Sequence, residues 1–221
     1  MQDILERIAV CIERGKASVQ SLYPPDMRGQ EGAGELTERA LKGGISAQEV
    51  LNKGLIVGMF NIGERFSRGE AFIPDLLIAA QSMNVSMELL KPHFESGELR
   101  HKGAFIIGTV SGDLHDIGKN IVKMVIKGAG WKAVDLGTNA STEKFIKAIK
   151  QEPDALVGMS ALLTTTMLNM EKSVREIHTE YPHVKVIIGG APVTDDFREK
   201  IGANAYFPDP NRLVDYLRAG N

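Results

Sequence analysis

The chain has 221 residues, of which 43% are hydrophobic and 24% charged, and its formal net charge at neutral pH is −2. This composition is typical of a globular protein with room for one large domain or two small ones. The near-neutral charge gives no reason to expect a nucleic-acid partner, and no apolar run approaches the roughly 20 residues of a membrane helix. Charged residues interrupt the N-terminal segment, unlike a signal peptide, so a cytoplasmic protein without a membrane partner is expected.

Residues 1–95 have the pattern of helices alone. Apolar residues spaced by three and four form a first helix, which is expected to end before the proline pair that begins at Pro24. A short helix is predicted over 35–42, and a capping box at Ser46 opens a third helix. Pro74 suits the first turn of a fourth. Four helices with short connections predict a compact antiparallel bundle.

The pattern changes after a polar stretch at 96–102, so the domain boundary is placed after residue 95. Beyond it, short apolar runs alternate with helical patterns, which predicts an α/β domain over 96–221. The predicted strands are 104–108, 133–136, 155–159, 184–188 and 205–207, and the predicted helices are 117–128, 142–151, 165–180, 194–201 and 210–218. Five β-α units in a row predict a five-stranded parallel, doubly wound sheet of flavodoxin-like order.

Three loops of this predicted sheet carry chemically active residues. Parallel sheets bind ligands at the carboxyl ends of their strands, where these loops converge. The loop after the first strand contains His115, the residue type that most often binds metals, and Asp113 can orient its ring. The loop after the third strand, 160–166, is rich in hydroxyl groups. The fourth strand ends at Gly189-Gly190, which permits close approach of a ligand.

Each loop by itself also has an ordinary explanation. An Asp-x-His sequence or a hydroxyl run can cap the following helix, and paired glycines can form a tight turn. A divalent metal held by Asp113, His115 and Asp116 is another alternative, although a single histidine leaves such a site poor in ligands. The order of the three features, each after its own predicted strand, favours one shared site.

Together the loops resemble the three-part signature of cobalamin-binding domains, such as the one in methionine synthase. The three motifs are Asp113-x-His115-x-x-Gly118, Ser160-x-Leu162 and Gly189-Gly190. The resemblance implies that cobalamin or a related corrinoid binds with its nucleotide tail in a slot of this domain. It also implies that His115 is the lower ligand of the cobalt, in a relay with Asp113 and Thr166, where the methionine synthase type has serine. The other residues implied to bind the cofactor in this domain are Gly112, Asp116, Ile117, Gly118, Ser160, Leu162, Thr164, Gly189 and Gly190.

The helical half resembles the four-helix cap of corrinoid methyl-transfer proteins. In that cap, two apolar residues seven positions apart cover the methyl face of the cobalt, and Phe66 and Ile73 fall at those positions. A place in the bundle core is the alternative for both residues, and the helical spacing alone favours it for Phe66. With both halves included, the resemblance covers nearly the whole chain. It implies the corrinoid subunit of a methylamine, methanol, betaine or aryl-ether methyltransferase system, which is not an autonomous enzyme.

Such a subunit is implied to accept a methyl group on cobalt from a substrate:corrinoid methyltransferase. Its cofactor would alternate between cob(I)alamin and methylcobalamin, and a corrinoid:tetrahydropterin methyltransferase would take the methyl group away. A reductive activation protein would be a third partner. The sequence identifies neither the methyl donor nor the acceptor.

Three other classes of protein share parts of this pattern. A subunit of an adenosylcobalamin-dependent mutase has the motif of His115 but is not expected to carry the cap. A light-sensing corrinoid regulator has a tryptophan in its cap, whereas the only tryptophan here is Trp131, in the sheet half. A flavodoxin-like or response-regulator domain without a corrinoid leaves Gly189-Gly190 unexplained.

Overall fold

The computed structural model describes residues 2–208 and 210–219. The chain divides into two compact units. The helical unit comprises the described residues up to His101 together with Gly128–Gly130, and the sheet unit comprises Lys102–Lys127 and the described residues from Trp131 onward. Within the described ranges, no helix combines the length and the apolar character needed to cross a membrane.

The helical unit contains the four long helical segments that the sequence predicts. Its helices are α1 (Gln2–Glu13), α2 (Ala33–Lys42), α3 (Ala47–Glu49), α4 (Ile56–Ser67) and α5 (Ile73–Glu95). A π-helical stretch, Val50–Leu55, joins α3 to α4 without a break, so residues 47–67 form one continuous helix. A single 3₁₀ turn, Pro25–Met27, lies between α1 and α2.

Close packing of α1 against α4 and the preceding π-helical stretch depends on glycine. A Cβ atom at Gly58 would lie 2.5 Å from the carbonyl oxygen of Ala9, and one at Gly54 would lie 2.9 Å from a methyl group of Ile8.

The chain beyond α5 also packs on this unit, because Leu99 is buried and its N–H donates to the carbonyl of His93. Residues 96–101 therefore lie with the helices.

The sheet unit is an α/β fold with helices on both faces of a parallel sheet. Its strands are β1 (Ala104–Thr109), β2 (Lys132–Asp135), β3 (Leu156–Ser160), β4 (Val186–Gly189) and β5 (Ala205–Tyr206). Its helices are α6 (Ile117–Gly128), α7 (Thr142–Gln151), α8 (Met167–Glu180), α9 (Asp195–Ile201) and α10 (Pro210–Arg218). The strand order β2-β1-β3-β4-β5, with every pair parallel, confirms the predicted flavodoxin-like topology.

Successive residues of the strands point to opposite faces, and each face has its own core. Ile106 packs in a cluster with Phe145 of α7 and Val174 of α8, whereas its neighbour Phe105 packs in a cluster with Leu217 of α10. Both faces are therefore covered, as a parallel sheet requires.

Strand register sets the position of the three loops. Thr109, the last residue of β1, pairs with Ser160 of β3, and Ser160 pairs with Gly189 of β4. Three strands thus end at one level, and the loops that follow them leave the sheet side by side.

Candidate functional site

The carboxylate of Asp113 is the centre of the site, and it is fully buried, with 0% of the residue exposed. Its Oδ1 accepts hydrogen bonds from the backbone N–H of His115 at 3.0 Å and from the ring Nδ1 of His115 at 2.8 Å. Its Oδ2 accepts from the N–H of Leu162 at 2.7 Å and from the hydroxyl of Thr166 at 2.8 Å. One side chain of the β1–α6 loop therefore ties that loop to the loop after β3.

These hydrogen bonds keep Asp113 ionised. Burial by itself would raise the pKa of this carboxyl, but the donors of Leu162, His115 and Thr166 outweigh burial and hold the pKa well below its usual range. An ionised carboxylate can only accept, so the Nδ1 of His115 carries the proton. In the neutral ring, the other nitrogen, Nε2, then has a free lone pair.

The ring of His115 presents this lone pair outward. About half of its side chain, 51%, is exposed, and Nε2 has no hydrogen-bond partner within residues 2–208 and 210–219. A neutral imidazole held by a carboxylate through its other nitrogen is the usual form of a metal-binding histidine.

Thr166 is the third member of this chain of contacts. It is buried, and its hydroxyl lies 2.8 Å from both Asp113 Oδ2 and the carbonyl oxygen of Leu163. The ionised carboxylate is the stronger acceptor of the single hydroxyl proton. Thr166 therefore fixes the carboxylate on the side away from His115.

The predicted glycines differ in what surrounds them. A Cβ atom at Gly118 would meet nothing within 4 Å, and one at Gly189 would have a single neighbour, the carbonyl oxygen of Phe207, at 3.6 Å. At Gly190 a Cβ atom would lie 1.8 Å from the carbonyl oxygen of Ala161. Open space therefore adjoins Gly118 and Gly189, whereas Gly190 lets the loops after β3 and β4 approach each other.

The remaining predicted residues lie on the same three loops and on the start of α6. Ile117 and Leu162 are exposed apolar residues, Leu114 adds another on the loop after β1, and Leu168 adds one in the first turn of α8. Gly112, Asp116 and Thr164 are exposed, and Ser160 is half-buried at the end of β3. A half-exposed imidazole with a free lone pair, open space at two glycines and exposed apolar side chains fit a large, partly apolar, metal-containing ring.

A small divalent-metal site has less support. In the described part of the chain, no group of three His, Cys, Asp or Glu side chains is placed to hold a metal ion. Both oxygens of Asp113 already accept hydrogen bonds from protein donors, and Asp116 accepts from Asn120.

The sequence reasoning missed two asparagines that hold the loop of His115. Asn139, between β2 and α7, accepts from the N–H of Gly112 at 2.8 Å, and Asn169 of α8 donates to the carbonyl of Ser111 at 2.8 Å. A Gly-x-Asn sequence after a strand was an available signal, because Asn tolerates left-handed backbone in turns.

Phe66 and Ile73 lie in the helical unit. Phe66 is half-buried in the last turn of α4, and Ile73 is the exposed first residue of α5. Their contact with the cofactor stays a prediction.

Comparison with known proteins agrees with this geometry. A B12 binding domain model matches residues 103–211, and a second B12 binding domain model matches residues 29–91. Trimethylamine corrinoid protein 1 of Methanosarcina acetivorans is 40% identical over 195 residues, which cover 86% of this chain and 90% of the relative.

Two solved structures are similar over almost the whole chain. A cobalamin-binding protein from Desulfitobacterium hafniense has a TM-score of 0.74 at 28% identity, with 97% of each chain covered. The methanol:cobalamin methyltransferase complex from Methanosarcina barkeri has a TM-score of 0.83 at 25% identity, with 98% of this chain and 79% of that chain covered. The chain therefore belongs to the family of cobalamin-binding corrinoid proteins of methyltransferase systems.

Proposed function

We propose that this chain carries a methyl group on its corrinoid between two partner methyltransferases, with His115 as the lower ligand of the cobalt. The first partner is a substrate:corrinoid methyltransferase, and the second passes the methyl group to a tetrahydropterin. A reductive activation protein restores the carrier after accidental oxidation. A relative named for trimethylamine supports a methylamine as the first donor to test.

The observation that carries the proposal is the pair of Asp113 and His115. When bound, the corrinoid supplies the cobalt centre that takes up and releases the methyl group. Asp113 keeps the proton on Nδ1, so Nε2 would be the nitrogen that holds the metal. The ionised carboxylate also makes the imidazole a stronger electron-pair donor. Thr166 keeps the carboxylate in place.

The space beside Gly118 and Gly189 supports a place for the nucleotide tail. Both positions lack the side-chain neighbours that would fill that space. The further residues proposed to line the corrinoid are Gly112, Asp116, Ile117, Ser160, Leu162, Thr164 and Gly190.

Electron spin resonance of the Co(II) form tests the ligand. Protein labelled with ¹⁵N-histidine and loaded with hydroxocobalamin should show doublet nitrogen splitting after one-electron reduction, whereas unlabelled protein should show a triplet. The isotope separates the protein's imidazole from the cofactor's own base. His115→Ala should lose the label-dependent splitting, and His183→Ala, an exposed histidine of the same unit, should keep it. Nitrogen splitting that is the same in labelled and unlabelled protein would overturn the assignment of His115 as the ligand.

Transfer of radiolabel tests the carrier role. The reduced, loaded protein is incubated with methyl-labelled trimethylamine and a trimethylamine:corrinoid methyltransferase, and the label is expected to move to the protein. Adding a tetrahydropterin and a second methyltransferase should then release it. A protein that takes no label from trimethylamine, dimethylamine, methanol or methyl iodide is not a methyl carrier. A clear preference for adenosylcobalamin over methylcobalamin would instead favour a mutase subunit.

A further inference from the structure

We propose that Asn139 is a positioning residue that holds the loop of His115 in the geometry that allows the imidazole to bind cobalt. The inference rests on the proposed role of His115. Asn139 lies in the loop between β2 and α7, outside the three motifs that identify the cofactor site.

Asn139 clamps one short segment of the ligand loop with two hydrogen bonds. Its Oδ1 accepts from the N–H of Gly112 at 2.8 Å, and its own N–H donates to the carbonyl of Asp113 at 2.9 Å. These two groups lie at opposite ends of the dipeptide Gly112-Asp113. The clamp therefore fixes both the position and the direction of the backbone from which the Asp113 carboxylate extends.

The backbone conformation at position 139 favours asparagine over most other residues. Among the residues that the structure describes, Asn139 is the one non-glycine residue with a positive φ, at 51°. Left-handed backbone costs an ordinary L-residue about 1–2 kcal/mol, and asparagine tolerates it better than most. Gly112, its hydrogen-bond partner, has a φ of 81°. Two left-handed residues thus meet at the clamp.

The loop that carries Asn139 is itself anchored to the sheet. The next residue, Ala140, donates its N–H to the carbonyl of Thr109 at 2.8 Å, and it forms an isolated parallel bridge with Val110. The backbone next to Asn139 is therefore held by the end of β1, so the side-chain Oδ1 of Asn139 extends from a fixed position.

Loss of the clamp should alter ring placement more than folding. Gly112 is exposed, so water can replace the lost acceptor at modest cost. Asp113 would keep its other partners, but the dipeptide that carries it would gain freedom. A ligand histidine that is displaced by a fraction of an ångström binds its metal less well, because metal–ligand bonds form only over a narrow range of distances.

The test compares three variants in the loaded, full-length protein. Asn139→Ala removes the acceptor and strains the backbone, whereas Asn139→Gly removes the acceptor without that strain. Asn139→Asp keeps an acceptor and a residue type that tolerates positive φ. Asn204→Ala is the control, because Asn204 makes a similar pair of bonds with Val186, at 2.6 and 2.8 Å, besides a contact of its Oδ1 with the Nε2 of His178 at 3.1 Å. That pair lies at the beginning of β4, away from the site edge.

The readouts are the ¹⁵N-histidine splitting of the Co(II) form and the Co(II)/Co(I) midpoint potential. In Asn139→Ala and Asn139→Gly, the fraction of molecules with histidine splitting should fall at least about twofold. The potential should become less negative, because an axial ligand favours Co(II) over Co(I). Asn139→Asp should restore both, and Asn204→Ala should leave both unchanged despite a similar loss of folding stability.

The outcomes separate this inference from the proposed function. Splitting absent from the unsubstituted protein would overturn the role of His115, and the positioning role would fall with it. Normal splitting in the unsubstituted protein together with unchanged splitting and potential in Asn139→Gly would overturn the positioning role alone. Equal effects in Asn204→Ala would show a general loss of stability and would also overturn it.

Discussion

At the scale of single residues, the carboxylate of Asp113 has no adequate substitute. It accepts four hydrogen bonds of 3.0 Å or less, two on each oxygen. In Asp113→Asn the side-chain NH₂ would face protein donors, and each buried donor left without a partner costs about 1–3 kcal/mol. We expect the free energy of unfolding in urea to fall by at least that amount, together with loss of the histidine splitting.

The control for this variant is Asp154→Asn, since Asp154 is exposed and makes no hydrogen bond within the described ranges. Its unfolding free energy should stay within about 0.5 kcal/mol of the original. A stable Asp113→Asn protein with normal splitting would show that the carboxylate does not hold the ring.

Two glycines of the site should respond to substitution in opposite ways. Gly118→Val places its side chain in open space, so the protein without corrinoid should keep its stability but take up hydroxocobalamin weakly. Gly190→Ala drives a Cβ atom to 1.8 Å from the carbonyl oxygen of Ala161, at a φ of 129°. That variant should unfold at lower urea concentration even without cofactor. Urea unfolding and equilibrium titration with hydroxocobalamin distinguish the two, and normal uptake by Gly118→Val would contradict a tail near Gly118.

At the scale of elements, apolar spacing predicted the helices and strands closely. The bounds of α6 and α7 agree with the prediction, because each has a continuous apolar stripe between clear stop signals. The π-helical stretch Val50–Leu55 was not predicted, since apolar residues three and four apart do not distinguish it from an α-helix. The contact of Asn139 with Gly112 was also beyond the sequence, because it depends on how β1 and β2 align.

An ion pair with one buried member connects α6 to β2. Lys119 is 3% exposed, and its Nζ lies 2.9 and 3.1 Å from the oxygens of Asp135. Asp135→Asn would leave a buried ammonium group without its counter-charge, so we expect a loss of about 3 kcal/mol in urea unfolding. The matched control is Lys123→Met, which removes the more exposed partner of Asp135 and should cost less than about 1 kcal/mol. Equal losses would contradict the importance of burial.

Acid should remove the contribution of this ion pair. Burial by itself would raise the pKa of Asp135, but Lys123, Lys119 and the N–H of Gly137 lower it to about 2. The pKa in the unfolded chain is about 3.9, so the stabilisation is complete above that value and is lost as the pH falls toward 2. The difference in unfolding free energy between the original protein and Asp135→Asn should be constant from about pH 7 to 5 and shrink below about pH 4. A difference that grows on acidification would contradict this assignment.

At the scale of the whole molecule, the resemblance to corrinoid proteins extends over both units, and each unit has its own core. The residues proposed to hold the corrinoid from below lie in the sheet unit, whereas Phe66 and Ile73 lie in the helical unit. B12 binding domain models match both halves of the chain. Motif spacing leads to a prediction of which residues face a cofactor within each half, but it carries no information on the distance between the two halves.

The helical unit is expected to protect the reduced cofactor. If Ile73 covers the reactive face of the corrinoid, its truncation should expose the reduced metal to water and oxidants. Ile73→Ala in the loaded protein should therefore speed reoxidation by about twofold or more, measured by stopped-flow absorbance after mixing with a limiting oxidant. Leu89→Ala is the matched control, because Leu89 lies on the same helix and its exposed fraction, 36%, is close to the 39% of Ile73. Identical reoxidation rates in the two variants would remove Ile73 from the cap and leave shielding to other residues.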